Sequence, residues 1–135
     1  MNWFRFPLAA IGVLIVGRAI VSMLLFSLVF KKAFEEKSSA FRPDGEEKWT
    51  TMFIGYVSWA LAFSYIFGRL YPEGGLLQGA CFGGLVWTLY FFPMVTAVWA
   101  TIGVSRYWAV SALIVGLAES LAGGITAGLI YGWKV

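Results

Sequence analysis

A chain of 135 residues that is 60% hydrophobic and 13% charged carries more apolar surface than one soluble core of this size can hide, so lipid must solvate most of it. The net charge of +3 comes mostly from Lys and Arg at chain ends and loops, with no basic stripe interleaved with aromatics, so nucleic acid is not an expected partner. The lack of His and the single Cys81 leave no ordinary ligand set for haem, zinc or non-haem iron, no His-based catalysis and no intrachain disulfide. The expectation is therefore no cofactor, no metal and no enzyme activity.

The first apolar run extends from about Phe6 to Phe30. At roughly 25 residues it exceeds the ~20 needed to cross a bilayer as a helix, and it lacks the small-residue cleavage site of a signal peptide. It reads as an uncleaved transmembrane helix ended by Lys31 and Lys32, cations suited to a helix C-terminus and to headgroups. Residues 31–48 are the one substantial hydrophilic segment. Lys31, Lys32, Lys37, Arg42 and Lys48 are matched there by Glu35, Glu36, Asp44, Glu46 and Glu47. Such a locally neutral run is expected to be a solvated connection, with a docking surface as the alternative. Pro43-Asp44-Gly45 reads as a turn, and Asp44 with Glu47 three residues on resembles a capping box opening the next helix.

The second run, about Trp49 to Leu70, is uncharged until Arg69, and Tyr71-Pro72-Glu73-Gly74-Gly75 is a tight turn. The third, about Leu76 to Thr101, holds Pro93, which removes a backbone hydrogen bond to Leu89 and should kink the helix. Cys81 within it reads as a small packing residue. A short connection around Ser105 and Arg106 leads to the fourth run, about Trp108 to Trp133. Trp3, Trp49, Trp108 and Trp133 sit where helix ends should meet headgroups. The expected fold class is all-α, an integral membrane bundle of four transmembrane helices forming a single membrane domain over residues 1–135.

Four crossings put both termini on one side. Loops 31–48 and 102–107 carry six Lys or Arg against three (Arg5, Arg69, Lys134) on the other side. By the positive-inside rule these loops face the cytoplasm and both termini face outward, in what is expected to be a bacterial inner membrane.

Three constellations stand out. Arg18 lies about 18 Å from Phe6 and Glu119 about 21 Å from Trp133 at ~1.5 Å per residue, so the two charges reach similar depths on antiparallel helices. An unpaired charge there costs at least about 2.5–3.5 kcal/mol, so pairing is the natural resolution. The pair reads either as a structural link or as a polar site in which Glu119 carries a proton or a cationic substrate, and either group is alternatively paired with another subunit. Small residues recur at every fourth position as Ala112, Gly116, Ser120, Gly124, Gly128 and Gly132, and again as Gly75, Gly79 and Gly83. Such ridges allow close helix packing in lipid, against an internal neighbour or a second chain. Finally Trp59, Trp87, Tyr90 and Pro93 outline a pocket for a flat apolar ligand such as a quinone or lipid, with ordinary packing as the alternative.

The order of landmarks resembles the small bacterial membrane proteins of the DUF1761 family. There, as here, a first span leads to a charged segment, and a Glu-Gly turn like Glu73-Gly74-Gly75 precedes a Gly-rich third helix and a Gly-rich fourth. The resemblance implies architecture without an activity. Small multidrug-resistance exporters share the size but carry their proton-coupled Glu in the first helix, where this chain has Arg18. Fluoride channels share a Gly-Arg step like Gly17-Arg18 but not the rest of their motif. The leading expectation is a structural or accessory subunit in a larger membrane assembly, its partners being the bilayer and other membrane subunits or itself. The alternatives are a small homo-oligomeric transporter or channel using Arg18 and Glu119, and a quinone- or lipid-binding protein.

Overall fold

Backbone N–H and C=O groups cannot stay unpaired in hydrocarbon, so apolar runs of this length close their hydrogen bonds internally as helices. The computed structural model describes residues 3–36, 41–43 and 45–133. Among the described residues no strand occurs, and four helices are long and apolar enough to cross a membrane: α1 (Arg5–Val29), α3 (Trp49–Leu70), α4 (Leu76–Thr101) and α5 (Arg106–Gly132). A short helix, α2 (Lys31–Phe34), follows α1 directly. The fold is an all-α bundle of four such helices.

Several local features differ from what the sequence suggests. The hydrophilic segment opens with α2 rather than with a plain connection, because Ala33 buries itself and Lys31 pairs with Glu35 one turn on, at 3.7 Å. Helix α5 starts at Arg106, two residues early, because Ser105 is its N-cap and accepts from the Trp108 N–H at 3.0 Å. Glu36 reinforces this cap, accepting from the Ser105 N–H at 2.8 Å and from its hydroxyl at 2.5 Å. Lys48 holds the N-cap position of α3 with no side-chain bond, and Glu47, half of the expected capping box, accepts from the Gly45 N–H at 2.7 Å. Asp44, the other half of that box, lies outside the described residues. The expected turn survives in the Glu46 N–H bond to the Pro43 carbonyl at 3.0 Å.

Helix α1 is π-helical over Val13–Ser22 and Leu25–Val29, and α4 over Trp87–Phe91. In α4 the wider turn directly precedes Pro93. The disturbance expected there is taken up by i→i+5 bonding, and the helix continues to Thr101. Cys81 is exposed on α4 rather than packed, so it fills no core space.

Helix α5 is the axis of the bundle. Toward α4 the two small-residue ridges meet face to face. A Cβ at Gly79 would strike the Gly124 carbonyl, one at Gly83 the Ser120 carbonyl, and one at Gly128 the Gly75 carbonyl. Gly116 lies against Phe91, and Gly132 against the Gly74–Gly75 turn. That turn needs glycine for a second reason: Gly74 and Gly75 have φ of 65° and 125°, and Gly75 donates to the Gly128 carbonyl at 2.9 Å. Toward α1, Gly17 approaches the Glu119 carbonyl and Gly123 packs on Val13.

The apolar core gathers at the end of the bundle that holds the termini. Ala9, Val13, Ala60, Phe63, Phe67, Phe82, Ala127 and Tyr131 form it, with Phe82 edge-on to both Phe63 and Phe67. Arg5 bonds to the Tyr131 carbonyl at 2.6 Å and closes this end. At the other end, Phe30 packs near Tyr107 and Phe41 near Trp108, so the segments flanking 31–48 and 102–107 lie together.

Helix α3 behaves differently along its length. Its second half is anchored by Ala60, Phe63, Ser64, Phe67 and Gly68, all buried. Its first two turns, Trp49–Gly55, bury no residue on any side. The buried residues of α3 thus lie toward the terminal end, and its loop end is peripheral.

Candidate functional site

The π-helical stretch of α1 carries Arg18 toward α5. Its Nη1 donates to both carboxylate oxygens of Glu119, at 3.0 Å and 2.7 Å. The two residues are 101 positions apart, and the ion pair forms within one chain. Gly17 makes this possible: with its Cα lying against the α5 backbone at Glu119, the next residue reaches a carboxylate on the facing helix.

The two partners are unequally covered. The Glu119 side chain is 1% exposed, while that of Arg18 is 26% exposed. Tyr56 of α3 lies under the guanidinium, whose carbon is 3.9 Å from the ring centre, a cation–π contact that holds the guanidinium plane. Ser22, one turn along α1 from Arg18, is buried and interacts with the Glu119 carboxylate. Sequence reasoning found Arg18 and Glu119 but not Ser22 or Tyr56. The spacing of four between Arg18 and Ser22 places them on one face and was the available signal for the first. Tyr56 carried none, because its position depends on how α3 docks.

Tyr56 follows the exposed stretch Trp49–Gly55 by one residue. The Arg18 guanidinium therefore packs against α3 just past the stretch of that helix that buries no residue. Nη1 engages Glu119, and the Tyr56 side chain also hydrogen-bonds the guanidinium. Chemically, the site presents an ion pair whose carboxylate is buried and whose cation is partly exposed.

The other sequence candidates fall elsewhere. Gly75, Gly79, Gly83, Gly116, Ser120, Gly124, Gly128 and Gly132 are spent on the α4–α5 contact, and Ala112 is half-buried on α5. The aromatic side chains make contacts of their own. Trp59 packs on Phe63 and Phe91, and Trp87 donates from Nε1 to the Leu113 carbonyl at 2.9 Å. Tyr90 and Pro93 lie on the outer face of α4. The indole N–H of Trp87 is thus engaged with α5. Ser64, Ser111 and Ser120 bury hydroxyls with no hydrogen-bond partner among the described residues. A shallow cavity of about 380 Å³ opens separately at the start of α3, lined by Arg42, Glu47, Lys48, Trp49, Thr51 and Met52. No group of His, Cys, Asp or Glu among the described residues is arranged to hold a metal ion.

No family model, curated protein or solved structure matches the chain.

Proposed function

We propose that this four-helix membrane protein is a small carrier that binds a charged solute at the Arg18–Glu119 pair and exposes it toward the loop side. One observation carries the reading: midway along the first and last spans, a guanidinium that is 26% exposed lies beside a carboxylate that is 1% exposed. A link serving only to register α1 on α5 gains nothing from an uncovered charge, since charges inside a membrane are costly wherever they lack a polar environment. The apolar core fills the terminal half, which suits a site reached from the loop side. The six Lys and Arg of loops 31–48 and 102–107 favour the cytoplasm as that side.

The test is accessibility. In a Cys81→Ala background, Ser22→Cys and Tyr56→Cys in sealed vesicles of both orientations should react with a membrane-impermeant thiol reagent from the loop side alone. Reaction from neither side removes the carrier reading. In flux measurements, Glu119→Gln should abolish solute movement while the protein stays folded.

Membership of a larger assembly is the second reading. The small-residue ridges no longer support it, because they are engaged within the chain. Its remaining support is the exposed first half of α3, where Thr51, Gly55 and Ser58 leave room for another helix. Native mass spectrometry from a mild detergent decides this point: a fixed set of other chains favours the subunit, and the chain alone or with itself favours the carrier.

A further inference from the structure

The cavity of about 380 Å³ at the start of α3 is lined by two cations, Arg42 and Lys48, and one carboxylate, Glu47. Thr51 adds a hydroxyl, and Trp49 and Met52 add apolar surface. We infer that this cavity holds the headgroup of an aminophospholipid, with the phosphate against Arg42 and Lys48 and the ammonium against Glu47. Neither the Arg42 nor the Lys48 side chain forms an ion pair among the described residues, so both can donate to a phosphate. Glu47 accepts from the Gly45 N–H at 2.7 Å through one oxygen. A carboxylate accepts at about four positions, so that bond leaves it capacity for an amine.

Depth and apolar surface favour a lipid over a soluble phosphate. Trp49 begins the second long span, so the cavity lies at headgroup level, where Trp is favoured. Trp49, Met52 and Phe53 share one helix face by their spacing of three and four, and all three are exposed. An apolar strip thus leads from the charged lining into the hydrocarbon, along the path an acyl chain takes. The charges then select the headgroup. Two cations and one carboxylate complement a phosphate beside an ammonium. A glycerol headgroup leaves Glu47 unmatched, and a choline headgroup keeps the charge but has no N–H to donate. The segment 31–48 balances five basic residues with five acidic ones, so its overall field does not gather anionic lipid. Discrimination comes from where the charges stand.

Lipid titration of the full chain in mild detergent, read by native mass spectrometry, tests the assignment. The probes are phosphatidylethanolamine, phosphatidylglycerol and phosphatidylcholine with identical acyl chains, and inorganic phosphate and phosphoethanolamine serve as soluble competitors. The expected result is one saturable phosphatidylethanolamine, bound at least about tenfold tighter than either other lipid, as one charge-assisted hydrogen bond allows. Arg42→Gln with Lys48→Gln should weaken phosphatidylethanolamine at least about tenfold. Glu47→Gln should remove its advantage over phosphatidylglycerol while a phospholipid stays bound. All three side chains are exposed, so circular dichroism should show the parent's helix content in these variants. If a variant does not fold, the ranking of the three lipids by the parent decides. Equal affinities in the parent, or phosphatidylglycerol ahead, overturn the assignment. So do an unchanged affinity in the double variant and an unchanged ranking in the Glu47 variant. Displacement of the lipid by either soluble competitor at equal concentration identifies a soluble phosphate site and overturns the lipid. None of these outcomes bears on the carrier reading, which rests on Arg18 and Glu119.

Discussion

At the scale of single residues, the ion pair is asymmetric in what its loss should do. Arg18→Leu strands a carboxylate that is almost fully enclosed, with no route to water, and should cost about 3–5 kcal/mol, as for other broken buried pairs. Glu119→Leu strands a guanidinium that is already partly exposed and carried on a long side chain, so its cost should be clearly smaller. Reversible unfolding in mixed micelles measures both, and equal losses would contradict the unequal burial. The existence and depth of this pair were legible in the sequence, because charges inside apolar runs are few and helix rise converts residue number into depth. Which partner is covered was not legible. It follows from Gly17 bringing α1 onto α5 and from where α3 docks with Tyr56 on Arg18, neither of which a hydropathy pattern encodes.

At the scale of elements, the α4–α5 contact is set by backbone meeting backbone. Gly79→Ala would drive a methyl into the Gly124 carbonyl and should cost about 1–3 kcal/mol or more, since neither helix backbone can step aside locally. Gly84→Ala, one residue beyond Gly83 and facing open space, should stay within about 0.5 kcal/mol. Thermal unfolding of the two variants side by side checks the contrast, and similar losses would argue against the interlock. The cap on α5 gives a further expectation. Ser105→Ala removes the acceptor for the Trp108 N–H and one anchor of Glu36, and should lower stability by about 0.5–2 kcal/mol. The long helices were legible, since length and apolarity leave little choice inside a bilayer. The ridges were legible as ridges, but spacing alone does not say which neighbour fills them. The π-helical turns and α2 were not legible, because they answer to tertiary contacts: Phe91 seated on Gly116, and Ala33 buried.

At the scale of the whole molecule, three helices rest on a fourth that comes last in the chain. α1 pairs its charge with α5, α4 interlocks with α5, and the core that anchors α3 includes Ala127 and Tyr131 of α5. The separation of 101 residues between Arg18 and Glu119 then sets a waiting time. At a synthesis rate of roughly 5–20 residues per second, α1 sits in the membrane for about 5–20 s with its arginine uncompensated. During that interval the helix must stay in the bilayer on its apolar residues alone, or hold Arg18 near the headgroups until its partner arrives. Chains stopped before residue 119 should therefore lose α1 from the bilayer more readily than chains carried past it, and alkaline extraction of ribosome-bound intermediates would record the change. Assembly of this bundle is timed by its final helix, and the same contact that closes the fold ends the period in which a nascent chain offers a bare charge to whatever surveys the membrane.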